Sequence, residues 1–235
     1  MLRPLRPIAL AAALALPTAA GADQAQFSFS VAGIKVGTMT MNSEQSGSSY
    51  SASSRIDTAG LAGLFDFFFD GTARGQVSGS GTVVPGSYGA RSKSPRALRN
   101  TRIDWRNGVP VSVSVVPPRS SAPDPAAQGG TLDPVSAGFR LFRDGPKEAI
   151  CSTSVDVFDG SRRSRLKVAA PAEQADTLVC EGTYARIEGE AHSMADLREF
   201  PFRLVFVPAA AAGSYRLERI EAPTNFGQAV LSRQG

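Results

Sequence analysis

The sequence predicts a mainly β protein: a single antiparallel sheet, strongly curved or closed into a β-barrel, with two short helices. Three observations predict it. Apolar and polar residues alternate over many short stretches, as in Phe27-Phe29-Val31 and Phe202-Leu204-Phe206. That is the period of strands with one buried and one wet face. Turn residues recur at short intervals, and Asn107-Gly108 and Asp159-Gly160 are the strongest hairpin signals. Helical spacing is confined to two short segments. A flat sheet of so many strands would expose long edges, so curling or closure is expected.

In chain order, residues 1–22 read as a signal peptide. Arg3 and Arg6 precede an apolar run from Ile8 to Leu16, Pro17 breaks it, and Ala20-Gly21-Ala22 offers the small residues that a signal peptidase reads. Cleavage is expected before Asp23. The run falls short of the ~20 residues that span a bilayer, so a retained anchor is not expected. Residues 23–235 are expected to form a single β-rich domain outside the cytoplasm, with no membrane span.

The mature chain opens on Phe27, Phe29 and Val31. Ala32-Gly33 makes a tight turn, Ile34 and Val36 follow on the other parity, and a bulge at Gly37 shifts the pattern to Met39 and Met41. A polar-rich strand runs from Tyr50 to Ile56. Gly60 to Phe69, GLAGLFDFFF, is read as the first helix, with Leu61, Leu64, Phe65 and Phe68 at helical spacing. It would either plug one end of the sheet or form a greasy lid over a lipid-binding cavity. Val111, Val113 and Val115 mark a further strand. Residues 117–130, rich in Pro, Ser, Ala and Gly, read as a mobile surface loop. Asp133 to Arg143 is the second helix, with Asp133 as N-cap, Pro134 at the first helical position, and Ala137, Leu141 and Phe142 facing inward. Thr153, Val155 and Val157 form a strand before Asp159-Gly160. Ala209 to Ala212 is a loop, and Tyr215 to Ile220 and Ala229 to Leu231 are the last strands.

Charge and chemistry narrow the function. The chain has 25 basic and 21 acidic residues, a net of +4, which falls to +2 when Arg3 and Arg6 leave. So small a charge does not suggest a nucleic-acid partner. Cys151 and Cys180 are the two cysteines, and in an oxidising compartment one disulfide is expected. Closing that loop would contribute about 3.5 kcal/mol on the chain-entropy picture. Their spacing fits no zinc pattern. No metal, cofactor or catalytic residue is expected: the lone histidine, His192, has no nucleophile elbow to serve and reads as a surface loop residue. Arg163 and Arg165 should share a strand face, either paired with a carboxylate on a neighbouring strand or forming an anion site for a lipid headgroup or sugar phosphate.

Several motifs then resemble, in order, the bacterial envelope family filed as domain of unknown function 3108. They are the aromatic first strand, Gly33-Ile34-x-Val36-Gly37, Gly60-Leu61-x-x-Leu64-Phe65, Pro85-x-x-Tyr88, Asp133-Pro134-Val135-Ser136, Phe158-Asp159-Gly160-x-Arg162-Arg163 and Pro223-Thr224-x-x-Gly227. The resemblance implies a periplasmic protein with a curved sheet or barrel of the lipoprotein-carrier kind, and no established catalytic residues. Two functions are therefore expected as alternatives. One is a non-enzymatic envelope protein that binds a lipid-like ligand through Leu61, Leu64, Phe65, Phe68, Arg163 and Arg165. The other is a module with a solid core that binds an envelope protein or the cell wall. A hydrolase is the least expected.

Overall fold

The computed structural model describes residues 21–58, 67–94, 97–119, 121–189 and 199–235. Its strands are β1 (Gly21–Val31), β2 (Ile34–Ser46), β3 (Ser49–Thr58), β4 (Phe68–Val77), β5 (Val83–Ser94), β6 (Ala97–Arg106), β7 (Val109–Val116), β8 (Gly145–Pro146), β9 (Ser154–Phe158), β10 (Arg162–Gln174), β11 (Thr177–Gly189), β12 (Glu199–Pro208), β13 (Ser214–Thr224) and β14 (Gly227–Arg233). Two helices, α1 (Pro134–Phe142) and the single turn α2 (Lys147–Ile150), lie between β7 and β9. All fourteen strands belong to one antiparallel sheet, in the order β7-β6-β5-β4-β3-β2-β1-β14-β13-β12-β11-β10-β9, with β8 beside β13. Two meanders are thus joined where β1 pairs with β14, Phe27 opposite Arg233 and Val31 opposite Ala229.

Local chemistry explains the hairpins. Ala32-Gly33 and Asn107-Gly108 both have two consecutive positive φ angles, 50° and 80°, then 52° and 74°. Such turns match the right-handed twist of the flanking strands. Period-two alternation decides what is buried. On β1 to β6 the inward row includes Ala25 and Phe27, Met39 and Met41, Tyr50 and Ala52, Ala73, Tyr88, and Ile103. The intervening residues form the opposite, largely polar face.

The sheet is open, which corrects the barrel alternative. β7 and β9 are its two edges. β9 cannot accept β7 because its free edge is already occupied: Leu132 donates to the Asp156 carbonyl at 2.8 Å and accepts from the Phe158 amide at 2.8 Å. The first expected helix is also corrected in part. Residues 59–66, including Leu61, Leu64 and Phe65, lie outside the described residues. Phe68 and Phe69, expected at the helix end, are extended in β4, opposite Asp57 and Ile56. Aromatic residues favour such pleated positions. Alternation then turns Phe69 towards the core, while Phe68 lies under the Arg55 guanidinium at 5.1 Å.

The second helix is where it was expected. The Asp133 carboxylate accepts from the Val135 and Ser136 amides at 2.9 and 2.8 Å, which caps α1. α1 lies on the inward face of the sheet against β3, β4, β5 and β9. Val135, Ala137, Phe139 and Phe142 are buried, and Leu141 is half-buried. The approach requires a glycine: a Cβ on Gly71 of β4 would stand 3.0 Å from Val135 Cγ2 and 2.7 Å from the Phe69 ring. Cys151, just after α2, is disulfide-bonded to Cys180 of β11. Residues 117–130 include a 3-10 turn, Pro125–Ala127, capped by Asp124. The Gln128 side chain is buried there and donates to Glu188 Oε2 at 3.2 Å.

Candidate functional site

Among the described residues, side chains of α1 and of both halves of the sheet pack together beneath the sheet. Tyr50 stacks on Phe139 with ring centres 4.5 Å apart and planes 6° from parallel. Phe27 meets Phe142 edge to face at 5.3 Å. Leu178, Leu204, Phe206 and Leu217 are wholly buried from the other half of the sheet. Such contacts leave side chains close-packed, as in an ordinary protein core.

A polar chain runs through this core. The Ser136 hydroxyl donates to Asp133 Oδ2, and Tyr50 Oη lies 2.6 Å from Ser136 Oγ. Burial pushes the Asp133 carboxyl up to about 6, although the Ser136 hydroxyl and the amides of Ser136 and Val135 oppose the shift by stabilising its charged form. Burial also raises the Tyr50 phenol, against the Ser136 hydrogen bond. Tyr88 is raised by burial first, and then by Asp133 and Asp159. Serine, carboxylate and tyrosine are residue types that can serve acyl transfer, but Asp133 and Ser136 are sealed from solvent and Tyr50 is 3% exposed. A substrate could not reach them without displacing α1. The sequence marked Asp133 as a cap; its Asp-Pro-Val-Ser spacing puts Ser136 one turn on, facing the cap. What the spacing does not carry is the burial, which comes from the sheet packed over it.

Arg163 and Arg165 do come together, around a residue the sequence did not single out. Asp156 of β9 accepts from Arg163 Nε and Nη2 at 2.9 and 2.6 Å, and from Arg165 Nε and Nη2 at 2.7 and 3.1 Å. The Arg165 hydrogen bond, then that of Arg163, holds the Asp156 carboxyl below its ordinary range, against partial burial. Two guanidinium groups sharing one carboxylate leave a local excess of one positive charge. Arg163 and Phe68 stand on different parts of the sheet, in β10 and β4. His192 lies outside the described residues.

A hollow lies on the outer face of the sheet. An open trough of about 780 Å³ runs across β1 to β5, lined by residues including Gln24, Asn42, Ser51, Ser53, Thr72 and Arg74. These belong to the face opposite Ala25, Met41, Ala52 and Ala73. The trough offers hydroxyl, amide and charged groups, among them Asp23, Glu44 and Arg74, with Ala52 and Ala73 also at its lining. Among the described residues no cluster of three or more His, Cys, Asp or Glu is placed to hold a metal ion.

Neither the curated proteins nor the solved structures offer a match to this chain. The family model described as "Protein of unknown function (DUF3108)" matches residues 26–231, from within β1 to within β14. With part or all of every strand, the α1 cap and both hairpin motifs inside that span, the chain belongs to the DUF3108 family.

Proposed function

We propose that this is an exported, non-catalytic binding protein of the bacterial envelope that engages its partner with its exterior and holds no ligand inside. The observation that carries this reading is the packing of α1 beneath the sheet. A carrier of lipid-like ligands needs an apolar cavity of several hundred Å³. Here α1, with Phe139 stacked on Tyr50 and Phe142 against Phe27, occupies the space where such a cavity would lie. The sheet is proposed to curve around α1. In support, α1 touches β3, β4 and β5 on one side and β9, the far edge of the sheet, on the other. A Cβ on Gly160, in the β9–β10 turn, would also lie 2.9 Å from Val115 Cγ2 of β7 and 3.0 Å from Thr101 Cγ2 of β6. The signal-like start of the chain supports export, and the disulfide suits an oxidising compartment.

The test is mass spectrometry of protein purified from the native envelope, together with titration by a fluorescent fatty acid. The expected result is no stoichiometric lipid and no saturable probe binding. One acyl ligand per chain would overturn the reading and return the carrier.

A further inference from the structure

On the outer face of β1 to β5 the strand register sets two rows of mostly polar residues side by side. In one row Gln24 stands opposite Asn42, Asn42 opposite Ser53, Ser53 opposite Thr72 and Thr72 opposite Gly89. In the other, Glu44 stands opposite Ser51, Ser51 opposite Arg74 and Arg74 opposite Ser87. The trough of about 780 Å³ follows these rows across the strands, and every one of these residues lines it. Neighbouring strands stand ~4.8 Å apart, so the four gaps from β1 to β5 make a run of about 19 Å. The side chains along it are largely free to bind. Asn42 donates to Ser53 Oγ at 3.3 Å, but among the described residues the side chains of Gln24, Glu44, Ser51, Thr72, Arg74 and Ser87 make no hydrogen bond or ion pair. Further along the same two central strands, β3 and β4, the charges are already paired: Arg55 is tied to Asp57 at 2.6 Å and to Asp70 at 3.6 Å.

We infer that this trough binds an extended, uncharged glycan strand that carries hydroxyl and acetamido groups. This rests on the reading that the exterior does the binding, and it names the place and the ligand class. The backbone beneath the trough is engaged in the ladders of β1 to β5, so a ligand here is held by side chains. Those side chains donate and accept in mixture: the hydroxyls and amides do both, Glu44 accepts and Arg74 donates. A glycan presents the same mixture of donors and acceptors along its whole length. The spacing agrees as well, because each ring of an extended glycan advances by about one strand spacing and so meets the side chains of the next strand. Other occupants fit less well. An acyl chain, or the centre of a protein interface, needs large apolar or aromatic side chains. The apolar residues of this lining are Ala52 and Ala73, only 6% and 2% exposed. A polyanion needs a basic track. The charged residues of the lining, Asp23, Glu44 and Arg74, set one positive charge against two negative.

The test is titration of the full protein with the hexamer of N-acetylglucosamine, followed through backbone amide shifts by NMR. Amides around Asn42, Ser53 and Thr72 should move and saturate, while those of β10 to β12 stay in place. Affinity should rise with oligomer length up to about four or five rings, the span of the trough, and then level off. Arg74→Gln and Thr72→Val should each weaken binding about threefold to tenfold, the loss expected for one hydrogen bond. Arg203→Gln, an exposed residue of β12 outside the trough, should bind as wild type, with unchanged melting temperatures verifying that each variant is folded. No saturable shift in wild type would overturn the inference. Unweakened binding by both trough variants, equal loss in Arg203→Gln, or equally tight binding of the polyanion polygalacturonate would also overturn it. Mass spectrometry reports independently on the reading that no ligand is held inside, since an acyl ligand beneath the sheet does not depend on the trough.

Discussion

Asp133 carries two duties that pull against each other. As an N-cap it is best ionised, since it accepts two amides at the positive end of α1. As a buried group it is best neutral, and burial wins, raising its carboxyl to about 6. Folding therefore takes up a proton between the ordinary carboxylate range and about pH 6. The stability linked to that proton is fully present below about pH 4, falls as pH rises towards 6, and is level above it, a loss of about 3 kcal/mol. Asp133→Asn keeps an acceptor for the two amides, and the Ser136 hydroxyl can turn towards Tyr50. Urea unfolding at pH 4 and pH 7 should thus show wild type losing about 3 kcal/mol relative to Asp133→Asn. Parallel pH profiles for the two proteins would place the raised carboxyl elsewhere.

At the scale of the element, α1 is the piece that turns a sheet into a core. It presents Val135, Phe139 and Phe142 to the inward face, and β4 yields at Gly71 to let it close. Phe139→Ala should cost about 3–5 kcal/mol, the usual loss for a buried ring whose space does not collapse. Phe68 makes the useful contrast, because helical spacing groups it with the inward residues while its strand turns it outward. Beneath Arg55 it contributes a cross-strand contact and a cation–π contact, so Phe68→Ala should cost only about 1 kcal/mol. Chemical denaturation of the two variants side by side measures the difference. Similar large losses would mean that Phe68 belongs to the core after all.

For the whole molecule, the proposed curvature makes one turn decisive. Gly160 and Gly108 both hold positive φ angles, +85° and +74°, which L-residues avoid. A Cβ on Gly108 meets nothing within 4 Å, whereas one on Gly160 runs into Val115 and Thr101. Gly108→Ala should therefore show the backbone cost alone, about 1–2 kcal/mol. Gly160→Ala should add an overpacking cost of about 1–3 kcal/mol, because it wedges apart β9–β10 and β6–β7. Equal losses in the two variants would argue that the far strands of the sheet do not press on this turn.

Much of this was open to reading in one dimension because its causes are local. Alternation marked Phe27, Met39, Met41, Leu204 and Phe206 as facing one way, since side-chain direction in a strand depends only on parity. Asn107-Gly108 and Ala32-Gly33 announced their turns through backbone freedom, and Asp133-Pro134 announced α1 through its cap. Family membership was legible for the same reason: the motifs follow one another along the chain. The rest depended on what lies opposite. Phe68 fits a helical stripe as well as a strand, and pairing with Asp57 and Lys93 decided between them. Cys151 and Cys180 were an arithmetic pair until β11 stood beside α2. Arg163 and Arg165 shared a face on parity alone, but only the register of β9 put Asp156 between them. The sheet stayed open because Leu132 satisfied the backbone of β9, a contact between residues 24 or more apart that no local pattern encodes.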